Sequence, residues 1–354
     1  MFAVLSVVSA VFGIIAIGYA AGRQGYLSVD ASRGIADFAF KIAIPALLFH
    51  TVVSAKFDGV APAGVIASFF GAVGIIWLAS IATTVLILGR AKADQPSIAI
   101  TATFGNTIML GLPIGVSTFG EAALAPISAI IACHSPILLL AATLHAAATS
   151  EKGGSSVGAA LMRVARQLAA QPIVVAILAA LVCRIVGVPL PKPVLAMTEM
   201  LSRAGVPAAL VSLGLSLAAF KVEGDMKTVG VMLLLKLLLM PAVAALLAVA
   251  FQLPPLSASV VIMMAALPAG ANAYLFSSGS GRVVNAVSGA VALGTALSAI
   301  SLTLILLALQ VFVGTDPAAS NSPRSAPSRS TLSGQAETGC RRQQLTICFL
   351  CKFV

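Results

Sequence analysis

From residue 95 to residue 150 the chain carries one charged side chain, Glu121. A stretch so apolar has no face to offer water, so its backbone must satisfy itself by coiling inside hydrocarbon or a large core. The rest of the sequence repeats the pattern: of 354 residues, 59% are hydrophobic and only 9% charged, with a mean hydropathy of +1.06. A soluble domain averages about 25% charged residues. The composition therefore specifies an integral membrane protein.

A hydrocarbon layer about 30 Å thick is crossed by roughly 20 apolar residues in a helix. Ten segments meet that template, at about 2–22, 34–54, 61–89, 97–117, 121–148, 165–187, 193–220, 228–251, 256–278 and 284–313. The first resembles a signal peptide in its "GYAAGRQ" end, but it lacks a basic start and is long for such a segment. It is read as a retained span.

Lys and Arg outnumber Asp and Glu by 21 to 11. They stand singly between apolar runs, which makes them loop anchors, with no nucleic acid as partner. With the N-terminus outside, the inner connections hold Arg23, Arg33, Arg90, Lys92, Lys152, Arg163, Arg166, Lys221, Lys227 and Arg282, and the outer ones Lys56, Arg184 and Lys192. Basic residues favour the inner side, so both termini are expected outside. Residues 314–354, rich in Ser, Pro and Ala, cannot build a core and read as a disordered tail. Cys348 and Cys351 there form a lone C-x-x-C, and no metal or other cofactor is expected.

The chain also repeats itself. "DFAFKIAIPALL" and "EMLSRAGVPAAL" place Asp37, Lys41 and Pro45 against Glu199, Arg203 and Pro207 at one constant offset of 162. Five spans in each half is an odd number, so the second copy enters the membrane from the opposite side. The expected organisation is a five-helix repeat at 1–150, a short linker at 151–164 and an inverted five-helix repeat at 165–313. Secondary transporters of this type bind substrate near the midplane, where the copies meet. The two acid–base pairs at i, i+4 support a helix start, worth a few tenths of a kcal/mol each, or serve function.

Two spans look built to break. "FGNTIMLGLPIG" (104–115) and "LPAGANAYLFSSGSG" (267–281) each combine proline, glycine and asparagine in apolar surroundings. Proline removes a backbone donor and clashes with the carbonyl four residues back, while glycine tolerates strained angles. The result is either a kink with close packing through Gly105 and Gly111, or half-helix ends that face each other. Free N–H ends suit a carboxylate and free carbonyls a cation. Pro113 and Pro268 differ by 155 while Asn106 and Asn272 differ by 166, which leaves the register of the pair open.

Lys236 stands within "VMLLLKLLLMPAV". A cation at a helix centre costs at least about 2.5–3.5 kcal/mol, so it faces a cavity or a partner, or else snorkels or pairs locally. His134, in "CHSPILLL", is the one histidine placed to approach a cavity, as a proton or polar contact. No Asp or Glu lies deep in any span, which favours an anionic or neutral substrate over cation exchange.

"GNTIMLGLPIG", "IPALLFHTVVSAKF", "KLLLMPAVA" and "ALPAGANAYLFSSGSGR" resemble the auxin efflux carrier family, which includes plant PIN-type exporters and bacterial carriers for malonate or malate. The likeness runs over residues 1–313. It implies ten transmembrane helices in two inverted repeats, with helices 4 and 9 broken and crossing at Pro113 and Pro268, and elevator-like transport. Substrate contacts would fall at Asn106 and Asn272, with Thr107, Gly111, Ala269 and Gly270 around them and Lys236 adding positive potential. The hydrophilic central loop of the plant exporters is missing, which points to the short bacterial type in the inner membrane.

The expected function is therefore carriage of a small organic anion, a mono- or dicarboxylate, by a multi-pass protein that is not an enzyme and pairs as a homodimer. A sodium- or proton-coupled symporter of the bile-acid-carrier architecture is the alternative. A membrane hydrolase lacks any Gly-x-Ser-x-Gly or Ser–His setting.

Overall fold

A computed structural model describes residues 2–54, 62–149, 172–187, 190–219 and 225–313, with the single helical positions 158, 162 and 166. The described chain is all-helical. Its elements are α1 (Phe2–Arg23), α2 (Val29–Phe38), α3 (Ile44–Ser54), α4 (Pro62–Leu86), α5 (Gln95–Thr103), α6 (Leu112–Phe119), α7 (Leu124–Thr149), α8 (Pro172–Val186), α9 (Lys192–Ala219), α10 (Met226–Leu234), α11 (Met240–Ala250), α12 (Pro255–Ala266), α13 (Ala271–Ser280) and α14 (Val284–Val313). Contacts divide the chain at Leu306 and Leu307; the described part of the second unit is the end of α14. The expected linker at 151–164 lies outside the described residues except Gly158 and Met162, and the tail at 314–354 lies outside them altogether.

Among the described residues, seven helical rods are long and apolar enough to cross a membrane: Val4–Arg23, Asp30–Val53, Ala63–Leu86, Glu121–Thr149, Lys192–Ala218, Met226–Ala250 and Val284–Leu309. Three further apolar helices are shorter, at Thr107–Phe119, Pro172–Val186 and Pro255–Ala266. Two of these three belong to the segments expected to break. The third follows residues outside the described set.

Three rods contain a π-turn, at Ala39–Ala43, Thr107–Gly111 and Leu235–Leu239. Each ends two residues before a proline: Pro45, Pro113 and Pro241. Proline cannot donate to the carbonyl four residues back and collides with it. Widening the preceding turn to an i→i+5 pattern moves that carbonyl aside and lets the helix continue. Pro136 and Pro207 lie inside α7 and α9 without such a turn.

Within the first unit the helices pack in two groups. One holds α1, α2, α3, α8 and α9; the other holds α4, α5, α7, α11, α12 and α13. In the first group, α1 and α9 approach through small residues. A Cβ on Gly18 would overlap the Val211 carbonyl, one on Gly214 the Ile15 carbonyl, and one on Gly22 would sit 3.0 Å from the Ala218 Cβ. Apolar lipid gives helices no hydrophobic reason to associate, so close backbone packing supplies the attraction. The spacing Gly18-x-x-x-Gly22 against Gly214-x-x-x-Ala218 is a small-residue seam that the sequence reading did not pick out.

At one end the second group is tied by charge. Asp94 accepts from Arg90 at 3.3 Å and from Arg282 at 3.4 Å, while Arg90 also reaches Asp225 at 3.3 Å and Thr228 at 3.0 Å. The network joins the ends of α4, α5, α10 and α13. Buried hydroxyls are settled more locally: Ser80, Thr84, Thr101 and Thr103 donate to the carbonyl four residues back, which spends them as helix back-bonds.

Replacing Gly214 with Ala should force α1 and α9 apart and cost roughly 1–3 kcal/mol. The expected outcome is a clear fall in the thermal unfolding midpoint in detergent, whereas Gly13→Ala, where nothing lies within 4 Å of the new methyl, leaves it unchanged.

Candidate functional site

The site begins where two helices stop. In the first arm, α5 ends at Thr103 because Phe104 turns extended (φ −77°, ψ 92°) and Asn106 is also non-helical (φ −77°, ψ 62°). In the second arm, α12 ends as Leu267 turns extended (φ −63°, ψ 145°), and α13 starts after Gly270. The two interruptions meet as an antiparallel bridge, with Gly105 opposite Ala269. The Asn106 N–H donates to the Pro268 carbonyl at 2.8 Å, and the Gly270 N–H donates to the Phe104 carbonyl at 2.9 Å. Each break thus supplies what the other lacks.

The bridge corrects one expectation. The first arm crosses the second at residues 104–106, not at Pro113. Pro113 lies beyond the crossing, at the second residue of α6, where the widened turn Thr107–Gly111 before it accommodates its ring and missing N–H. Pro268, by contrast, is at the crossing. Gly105 and Ala269 differ by 164, so neither 155 nor 166 describes the register there.

Two buried polar side chains flank Gly105. The ring Nε2–H of His134 donates to the Gly105 carbonyl at 3.2 Å, which assigns the proton to that nitrogen. The same ring packs edge-on to Phe104, with centroids 4.6 Å apart, and to Phe69 at 5.6 Å. Lys236 is 1% exposed; its Nζ donates to the Ala265 carbonyl at 2.8 Å and contacts Met240 Sδ at 3.0 Å.

A cavity of about 320 Å³ opens beside the crossing. Its polar lining is Lys41, Asn106, Thr107, Ser135 and Asn272, with Phe40, Phe104 and Ile173 among the apolar walls. No carboxylate lines it among the described residues. Phe40, Lys41 and Ile173 come from the first helix group, and residues 104–109, Ser135 and 270–272 from the second, so the cavity lies on the seam between them. Two helix starts face it, the one at Thr107 and the one at Ala271, and neither is capped by a side chain. Both present the positive end of a helix dipole and N–H groups without helical partners.

The expected site residues fall into three places. Asn106, Thr107, Gly270 and Asn272 line the cavity. Pro268 and Ala269 make the crossing, and His134 and Lys236 support it without lining the cavity. Gly111 serves packing: a methyl there would meet Leu267 Cδ1 at 2.5 Å and Met264 Sδ at 2.9 Å, so its absence lets the arms touch. The repeat pairs both form, Lys41 to Asp37 at 2.8 Å and Arg203 to Glu199 at 2.7 Å. Only the first reaches the cavity, because the turn forced by Pro45 carries Lys41 there. The sequence offered that signal as an acid–base pair whose lysine stands four residues before Pro45, but not its direction.

Comparison with known proteins adds a family. A family model described as "Membrane transport protein" matches residues 3–306. The chain belongs to this family, that of the auxin efflux carriers. A protein from Rhizobium meliloti (strain 1021), named "Putative malonate transporter", is 24% identical over 298 residues, covering 83% of this chain and 92% of that protein. A mouse (Mus musculus) protein named "Lysosomal cholesterol signaling protein" is 29% identical over 104 residues, which is 29% of this chain and 12% of that protein. Family and apolar helices together make this a multi-pass membrane transport protein.

His134→Leu removes the donor to Gly105 and should cost about 1 kcal/mol, since a buried carbonyl loses one of its partners. His134→Gln keeps a donor at similar reach. The expected result is a lower thermal midpoint for the Leu variant than for the Gln variant, measured on the same detergent preparation.

Proposed function

We propose that the protein carries a small organic anion, a mono- or dicarboxylate of the malonate or malate class, across a bacterial inner membrane. The observation that supports this most directly is the cavity at the crossing: two uncapped helix starts, the Lys41 ammonium and the Asn106 and Asn272 amides converge on one space lined by no acid among the described residues. Helix N-termini are ready anion sites, and amides add orientation. A relative named for malonate that aligns over most of both chains agrees with that chemistry.

Asp37 pairs with Lys41, but both side chains are more than half exposed. An exposed pair of this kind is weak, about 0–1 kcal/mol, so an entering carboxylate competes with Asp37 for the ammonium at little cost.

The proposed architecture is ten spans in two inverted five-helix repeats, residues 1–150 and 165–313, with both termini outside. Breaks that pair antiparallel 164 residues apart sit close to the repeat offset of 162. The two helix groups support an elevator-type mechanism. A cavity on their seam is exposed alternately to either side if the group holding the crossed arms slides against the group holding Lys41.

Malonate should raise the thermal midpoint of the purified protein, because a ligand bound only to the folded state stabilises it; alkylamines should not. Lys41→Ala and Asn106→Ala should each weaken malonate binding by about tenfold, or 1.4 kcal/mol, with matching loss of uptake into proteoliposomes. Unchanged affinity and flux in both variants would remove the cavity from the transport path.

A further inference from the structure

The anion-binding reading leaves one buried charge without a task. Lys236 pairs with no carboxylate among the described residues, and it does not line the cavity. Its neighbours are acceptors: the Ala265 carbonyl at 2.8 Å and the Met240 thioether at 3.0 Å. A Cβ added to Gly105 would come within 3.4 Å of Nζ, so the ammonium also rests on the backbone of the crossing itself.

This environment has an electrostatic reason. Two helix starts face the cavity, and two helix ends, those of α5 and α12, stop at the same crossing. Each end carries roughly half a negative charge on carbonyls that lack helical donors. Brought together in an apolar interior, two such ends repel unless a cation stands between them. Lys236 and Met240 lie on one helical face at i, i+4, and the π-turn before Pro241 contains Lys236 and points it at Ala265.

We infer that Lys236 is a tethered cation. Its ammonium fills a cation site at the carbonyl ends of the crossed arms and positions the crossing, and removal of the amine opens that site to a small cation able to donate hydrogen bonds. The protein then needs no dissolved cation to hold the crossing. The inference rests on the crossing and not on the identity of the transported anion.

The test uses the full chain in detergent with two variants. Lys236→Met keeps the length of the side chain without its charge, and Lys236→Ala leaves space. Each is measured for thermal midpoint and malonate affinity in n-propylammonium, sodium or tetramethylammonium chloride at equal ionic strength. The wild type should respond to none of the three. Both variants should bind malonate about tenfold more weakly. Propylammonium should raise the midpoint of the Ala variant and bring its affinity back to within about threefold of wild type, by binding the folded state alone. It should leave the Met variant unmoved, and tetramethylammonium, which has no N–H, should move neither.

Wild-type affinity and midpoint in the Met variant would overturn the inference. So would an equal response of both variants to propylammonium, none in the Ala variant, or failure of both to fold in its presence. The midpoint is read without any carboxylate, so the cation site is judged even if malonate is not carried.

Discussion

Two backbone hydrogen bonds, from Asn106 to Pro268 and from Gly270 to Phe104, are what the rest of this structure depends on. A helix interrupted in apolar surroundings leaves N–H and C=O groups that no water can reach, and each costs several kcal/mol if it stays unpaired. One interruption has no remedy within its own helix. Two at the same depth complete each other as a short antiparallel bridge. The need for that meeting fixes α5 and α6 against α12 and α13, and it places the leftover helix ends in one spot. The starts open on the cavity, while the ends are met by Lys236 and, through Gly105, by His134.

Prolines do a second piece of positioning. Pro45, Pro113 and Pro241 each widen the turn that precedes them. Two of those turns border the cavity, contributing Lys41 on one side and residues 107–109 on the other; the third holds Lys236. A widened turn inserts an extra residue into the register and so re-aims the side chains around it. The same residue type that usually ends helices here keeps them running while rotating a chosen side chain inward. Pro136 and Pro207 show that a proline within a helix is not sufficient to produce the turn.

Much of this was legible in the residues. The apolar runs required a membrane-spanning helical protein, and the glycine, proline and asparagine clusters marked where helices would fail. Less legible was which role each polar residue takes. Asp37–Lys41 and Glu199–Arg203 read alike and form alike, yet one pair reaches the cavity and the other does not. Pro113 looked like the centre of the crossing and is the first turn of α6 instead. Lys236 and Asn106 both suggested substrate contact, and only Asn106 lines the space. Gly18, Gly22 and Gly214 carried no visible signal among 30 glycines, since their spacing matters only once α1 lies on α9.

The sequence by itself determined the medium, the helical class and the two places where the chain had to break, because hydropathy and proline chemistry act over a few neighbouring residues. Only the tertiary structure decided that Gly105 meets Ala269, that Lys41 rather than Lys236 lines the cavity, and that His134 and Lys236 both bond to the backbone at the crossing. Those outcomes join residues far apart along the chain, and they are set by which unpaired backbone group lies within hydrogen-bond reach of which partner. No local pattern contains that distance.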